Sequence, residues 1–204
     1  MIAQAAVMFA VTNVDDILLL ALYFGRSVDE PGAARRIVIG QYLGFLGILV
    51  ASVAAALGAS FLPETLIPYL GLLPLALGLR AARQVWQNRG SRSTRRADKA
   101  VEMRESGRGG EAPSVQAIAA VTFANGGDNI GLYVPVFTTA GRDGTAVYCV
   151  VFLALVAVWC LLGRLLAGHP VVARVLTAWG HVLLPIVLIA IGLIILVGEG
   201  AFGL

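Results

Sequence analysis

The stretch FAVTNVDDILLLALYFG, residues 9–25, is apolar enough to enter a membrane, yet it carries Asp15 and Asp16 in its middle. A second stretch, TFANGGDNIGLYVPVFTT at residues 122–139, repeats the anomaly with Asp128. Neither contains a Lys or Arg. An ionisable side chain at bilayer depth costs roughly 2.5–3.5 kcal/mol on insertion scales and marks a functional site by default. Three carboxylates with no basic neighbour need compensating positive charge, and a bound cation or protons are the simplest sources.

The rest of the chain supports a membrane setting. Of 204 residues, 58% are hydrophobic and 13% charged, against about 25% charged in a soluble domain. Mean hydropathy is +0.85. Apolar runs recur from end to end, most of them long enough for a helical crossing of about 20 residues. No alternating ten-residue pattern points to a β-barrel. The net charge of +3 sits in the connections, so it reads as a topology signal, and no nucleic-acid partner is expected. The opening MIAQAAVMFAVTN lacks a basic leader and reads as a retained span rather than a signal peptide.

The predicted fold is an all-α integral membrane protein with six transmembrane helices, near 2–24, 37–61, 66–86, 115–140, 145–166 and 178–197. Fourteen of the fifteen Lys and Arg fall in or beside connections one, three and five, and Arg142 alone lies on the other side. The positive-inside rule then places both termini outside a cytoplasmic (inner) membrane crossed several times. The motif Asp15-Asp16-Ile17 aligns with Asp128-Asn129-Ile130 at an offset of 113 residues, and Leu72-Leu73-Pro74-Leu75 with Leu183-Leu184-Pro185-Ile186 at 111. Residues 1–86 and 115–204 therefore read as two three-helix repeats joined by a basic cytoplasmic linker, 87–114. Three spans per repeat make the second copy inverted, a plan that places a site at the repeat interface near mid-bilayer.

Residues three and four apart share a helix face. Thr12, Asp15, Asp16, Leu19 and Tyr23 are expected to line one stripe of span one. Asn125, Asp128 and Asn129 form a narrower stripe on span four, with Tyr133 a turn on. Asn13 joins the first polar cluster. Together these groups form an all-oxygen set suited to a divalent cation, with Asp15, Asp16, Asp128 and Asn129 as its first candidates. Gly126 and Gly127, followed by Pro135, are expected to break span four and expose backbone carbonyls. Gln41 and Tyr42 could add ligands or line a pathway. Burial and like-charge proximity both disfavour two ionised neighbours at Asp15 and Asp16, so metal is expected to exchange with protons. No soft ligand stands in either motif. Cys149 and Cys160, both in span five, read as small buried hydrophobes, and His169 and His181 as interfacial residues.

These motifs, with IGQYLG at 39–44 and GLLPLALGL at 71–79, occur in the order found in the CadD-type cadmium-resistance transporters of the lysine-exporter-type superfamily, and the chain resembles that family over nearly its whole length except the basic loop. The resemblance implies efflux of cadmium or a similar divalent metal ion such as zinc, no resident cofactor, and metal-pathway roles for Asp15, Asp16, Asp128 and Asn129. Six short spans leave room for a homodimer. Two alternatives differ in class. An exporter of an amino acid or other organic cation would pair its ammonium with the carboxylates. An intramembrane aspartyl protease would also use Asp on two spans, but its second motif resembles GxGD, and here the first position is Asn125.

Overall fold

The computed structural model describes residues 1–27, 30–59, 61, 63, 69–87, 113–167, 185–186 and 189–197. Among the described residues every regular element is a helix: α1 (Ile2–Thr12), α2 (Val14–Arg26), α3 (Ala33–Ala59), α4 (Leu72–Gln87), α5 (Val115–Asn125) and α6 (Gly127–Leu166). Residues 189–197 are helical as well. Nearly all of the basic linker, together with His169, His181 and the Leu183-Leu184 pair, lies outside the described residues.

The first span departs from the expected single helix. It is broken at Asn13, and its halves, Ile2–Thr12 and Val14–Gly25, are bent by 59°. The cause is local. The Asn13 side-chain amide donates to the Phe9 carbonyl at 3.0 Å, the same oxygen that its backbone N–H reaches at 2.9 Å. Asn competes with the helix in this way, which is why it favours helix ends over interiors. The stripe running from Thr12 to Tyr23 is therefore interrupted: Thr12 ends one helix, while Asp15 and Asp16 open the next.

The fourth span is broken too, at Gly126, and Gly127 is the first residue of α6. A Cβ at Gly126 would meet Ile48 Cδ1 of α3, the movable end of a side chain that would have to shift. Pro135 does not interrupt the helix as expected. Its ring fixes φ near −65°, itself a helical value, and the backbone around it stays helical. The next departure is Gly141, at φ 68° and ψ −175°, a conformation reserved for glycine. There the chain reverses. Tyr133 and Phe152 rings lie 4.9 Å apart, whereas 19 residues of straight helix would separate them by about 28 Å. The two arms of α6 are thus antiparallel, with Thr145 Oγ1 donating to the Phe137 carbonyl across the turn at 3.0 Å.

By length and composition, Ala33–Ala59 and Asn129–Leu166 are each able to cross a membrane, and the bent α1–α2 pair counts as a third crossing if taken as one. Helix α4 starts at Leu72, later than expected, and holds Pro74 in its first turn, where the missing N–H would have had no helical partner anyway. The turn before it touches the helical residues 189–197 closely: a Cβ at Gly71 would lie 2.9 Å from the Gly192 carbonyl. Helices α3 and α5 meet as closely, since a Cβ at Gly40 or Gly44 would lie 2.6 Å from Ile118 Cβ or Thr122 Cβ, respectively. Small residues allow such approach where lipid supplies no hydrophobic drive. An aromatic cluster of Phe9, Phe45, Tyr133, Phe137, Tyr148, Phe152 and Trp159 joins α1, α3 and both arms of α6.

Candidate metal site

The two breaks have nearly the same backbone. Asn13 has φ −108° and ψ 16°; Gly126 has φ −92° and ψ 12°. In each, the N–H at the break reaches back four residues, to Phe9 or Thr122, and the N–H three residues on returns to the break carbonyl from Asp16 or Asn129. The offset of 113 residues thus joins positions of equal geometry.

Each break opens a helix N-terminus inside the apolar body of the protein. Asp15 and Asp16 lie in the first turn of α2, and Asp128 is the second residue of α6. Unpaired N–H groups give such a terminus a partial positive charge, worth typically 0.3–1 kcal/mol to a nearby carboxylate and more when partly buried.

Asp16 is the most enclosed of these groups, at 4% exposure. Its Oδ2 accepts from Gln41 Nε2 of α3 at 3.0 Å and its Oδ1 from Asn125 Nδ2, at the end of α5, at 2.8 Å. Gln41 is held in turn by the Thr122 hydroxyl, which donates to its Oε1 at 2.7 Å. A second cluster surrounds Asn13. Its Nδ2 lies 3.0 Å from the Tyr133 hydroxyl and 2.8 Å from Thr12 Oγ1. Asn129 Nδ2 donates to Asn13 Oδ1 at 3.3 Å. Thr12 spends its own proton on the Met8 carbonyl, so the 3.0 Å contact between Thr12 and Tyr133 is donated by the tyrosine. The clusters join where the Asp16 N–H meets the Asn13 carbonyl at 3.1 Å.

The structure thus gathers Thr12, Asn13, Asp16, Gln41, Asn125, Asn129 and Tyr133 from five helices and the first break. Asp15 is half-buried in the same turn as Asp16. The side chain of Asp128 lies outside the described residues. Tyr42 is turned to other work, donating to the Leu153 carbonyl at 3.0 Å and fastening α3 to the second arm of α6. Among the described residues no three His, Cys, Asp or Glu side chains gather. What the site offers a cation is carboxylate with amide and hydroxyl oxygens, and the amides now solvate Asp16 through their N–H groups. A half-turn of the Asn125 or Gln41 amide would present oxygen in place of nitrogen.

Two participants lie beyond the expected set. Thr122 is buried and orients Gln41. Trp159 donates its indole N–H to the Asn13 carbonyl at 2.7 Å, and its ring stands edge-on to Phe9. A Trp in mid-span, away from the interfacial belts where the residue concentrates, was the available signal.

No curated protein and no solved structure matches the chain. The family model described as cadmium resistance transporter matches residues 9–204, which include both breaks and every residue of the polar junction. The chain belongs to the cadmium resistance transporter family.

Proposed function

We propose that this membrane transporter exports a divalent heavy-metal cation, cadmium or a close relative, across the cytoplasmic membrane in exchange for protons, with the polar junction of the two breaks as the site. The observation that carries the reading is Asp16. A buried carboxylate, bonded to residues of two other helices and set at a helix break in an apolar body, is costly to maintain without a charged cargo. The family is one of transporters, so the protease alternative falls. The match to a cadmium transporter family favours a metal ion over an organic ammonium group.

The matched geometry at Asn13 and Gly126 supports reading the chain as a 3+3 inverted repeat, and the basic connections favour six spans with both ends outside. In such transporters the site lies where the broken helices of the two halves meet. Asp15 and Asp128 stand at equivalent positions and complete the acidic set in this reading. The test is cadmium uptake into everted vesicles carrying an imposed proton gradient. The unsubstituted chain should accumulate cadmium and dissipate the gradient. Asp16→Asn should abolish both, and Asp15→Asn and Asp128→Asn should weaken them. Full activity in all three variants would remove the site; uptake with the gradient untouched would remove the proton exchange.

A further inference from the structure

Gln41 and Thr122 are both buried, so their polar atoms must find partners within the protein. Gln41 Nε2 donates to Asp16 Oδ2 at 3.0 Å, and its Oε1 accepts from Thr122 Oγ1 at 2.7 Å. Chemistry fixes this pose, because an ionised carboxylate only accepts and so turns the amide nitrogen toward itself. A cation at Asp16 reverses the demand: it repels an N–H and draws a carbonyl oxygen. The Gln41 amide meets that demand by a half-turn about its last torsion, which is broad and roughly two-fold. The turn carries Nε2 to the place of Oε1, in front of Thr122.

Thr122 is suited to either pose. A hydroxyl both donates and accepts, and its hydrogen rotates to suit. With Nε2 before it, Oγ1 accepts, and its own proton needs a new acceptor. The Ile118 carbonyl lies four residues back on α5, within reach of a helical threonine. Three hydroxyls of this chain already use that route: Thr12 to Met8, Ser52 to Ile48 and Thr138 to Val134, each at 2.8 Å. Thr122 cannot drift from the amide, because its Cβ is pressed against α3. A Cβ at Gly44, one turn from Gln41, would lie 2.6 Å from it. The hydroxyl is thus held in place while the amide turns.

We propose that Thr122 is a positioning residue for the transported cation. Its hydroxyl donates to Gln41 Oε1 when Asp16 is empty, and accepts from Gln41 Nε2 when a cation sits at Asp16 and takes Oε1 as a ligand. A valine in its place would leave Oε1 unanswered in the empty site and Nε2 unanswered in the loaded one. An orphaned buried N–H is the less tolerated of the two, so the loss falls on the loaded site. The inference rests on the proposed transport site and adds to it a residue that does not itself touch the cation.

The test reads cadmium binding as the rise in unfolding temperature of the full chain in detergent, which needs no transport. Thr122→Val should raise the half-saturating cadmium concentration at least about tenfold, the low end for removing the partner of a metal ligand. Thr122→Ser keeps the hydroxyl and should recover most of the affinity. Thr122→Ala, which adds no bulk against Gly44, should bind as weakly as the valine variant. In a Gln41→Met chain Thr122→Val should have no further effect, because the amide it positions is gone. Infrared difference spectra should show a side-chain amide carbonyl band moving to lower frequency with cadmium, and Gln41→Met should lose that component. Unchanged affinity in Thr122→Val, an undiminished effect of Thr122→Val in the Gln41→Met chain, or no Gln41-dependent amide shift would overturn the proposal. If Asp16→Asn binds cadmium normally, the site itself fails; if Asp16→Asn does not bind and Thr122→Val binds as the unsubstituted chain does, the role of Thr122 alone fails.

Discussion

Gly44 offers the sharpest test of how the junction is held. It lies on α3 one turn from Gln41, and a Cβ there would sit 2.6 Å from both Thr122 Cβ and the Ala119 carbonyl oxygen. Neither atom is the movable end of a side chain. To restore ordinary van der Waals contact, α5 must retreat by about 1 Å, and overpacking of this kind costs roughly 1–3 kcal/mol. The retreat acts directly on the site, because the Thr122 to Gln41 hydrogen bond is 2.7 Å and an added ångström takes it past useful length. Gln41 then loses the partner that aims its N–H at Asp16. The same helix supplies graded controls. At Gly47 a Cβ would meet only the Phe123 ring, at 3.1 Å, and at Gly58 it would meet nothing within 4 Å. Gly58→Ala should be neutral or stabilising by about 0.5–1 kcal/mol through helix propensity alone. Gly47→Ala should cost little. Gly44→Ala should lower the unfolding temperature in detergent by about 2–4 °C per kcal/mol lost and reduce cadmium uptake at equal protein. Equal stability and uptake in Gly44→Ala and Gly58→Ala would refute the close-packing argument.

Two further perturbations probe the breaks and the reversal. Tyr133→Phe removes the hydroxyl that accepts from Asn13 and donates to Thr12; it should cost about 1–2 kcal/mol and depress transport, and wild-type behaviour in both assays would show the Asn13 cluster to be dispensable. Gly141→Ala forces a side chain into φ 68°, ψ −175° at about 1–3 kcal/mol. Its thermal shift should be clearly negative although a Cβ there meets nothing within 4 Å, and no shift would mean that the backbone relaxes there without cost.

Much of this was legible in the sequence because membrane energetics makes a buried charge conspicuous. Asp15, Asp16 and Asp128 stood out at once, and the glycine pair announced a break that falls at Gly126. The break at Asn13 was hidden because no Gly or Pro signals it; it coincides with a side-chain amide that shares the Phe9 carbonyl with the backbone, which only the folded geometry reveals. Pro135 misled in the opposite direction, since a proline ring is compatible with a helix whose neighbours accommodate it. Tyr42 and Gln41 are adjacent in sequence but point to different partners, because one position of helix turns a side chain by about 100°.

The equal backbone at Asn13 and Gly126 has a consequence for how the two halves differ. The first hinge exists because a side chain is present: removing it, as in Asn13→Gly, would strip the bonds to Phe9, Thr12 and Tyr133. The second has no side chain to tie it, and one added there would have to displace the tip of Ile48. One hinge is tied and the other only crowded. Two copies of one bend have thereby become a fastened joint and a loose one, and a motion that treated them as mirror images would begin at the glycine.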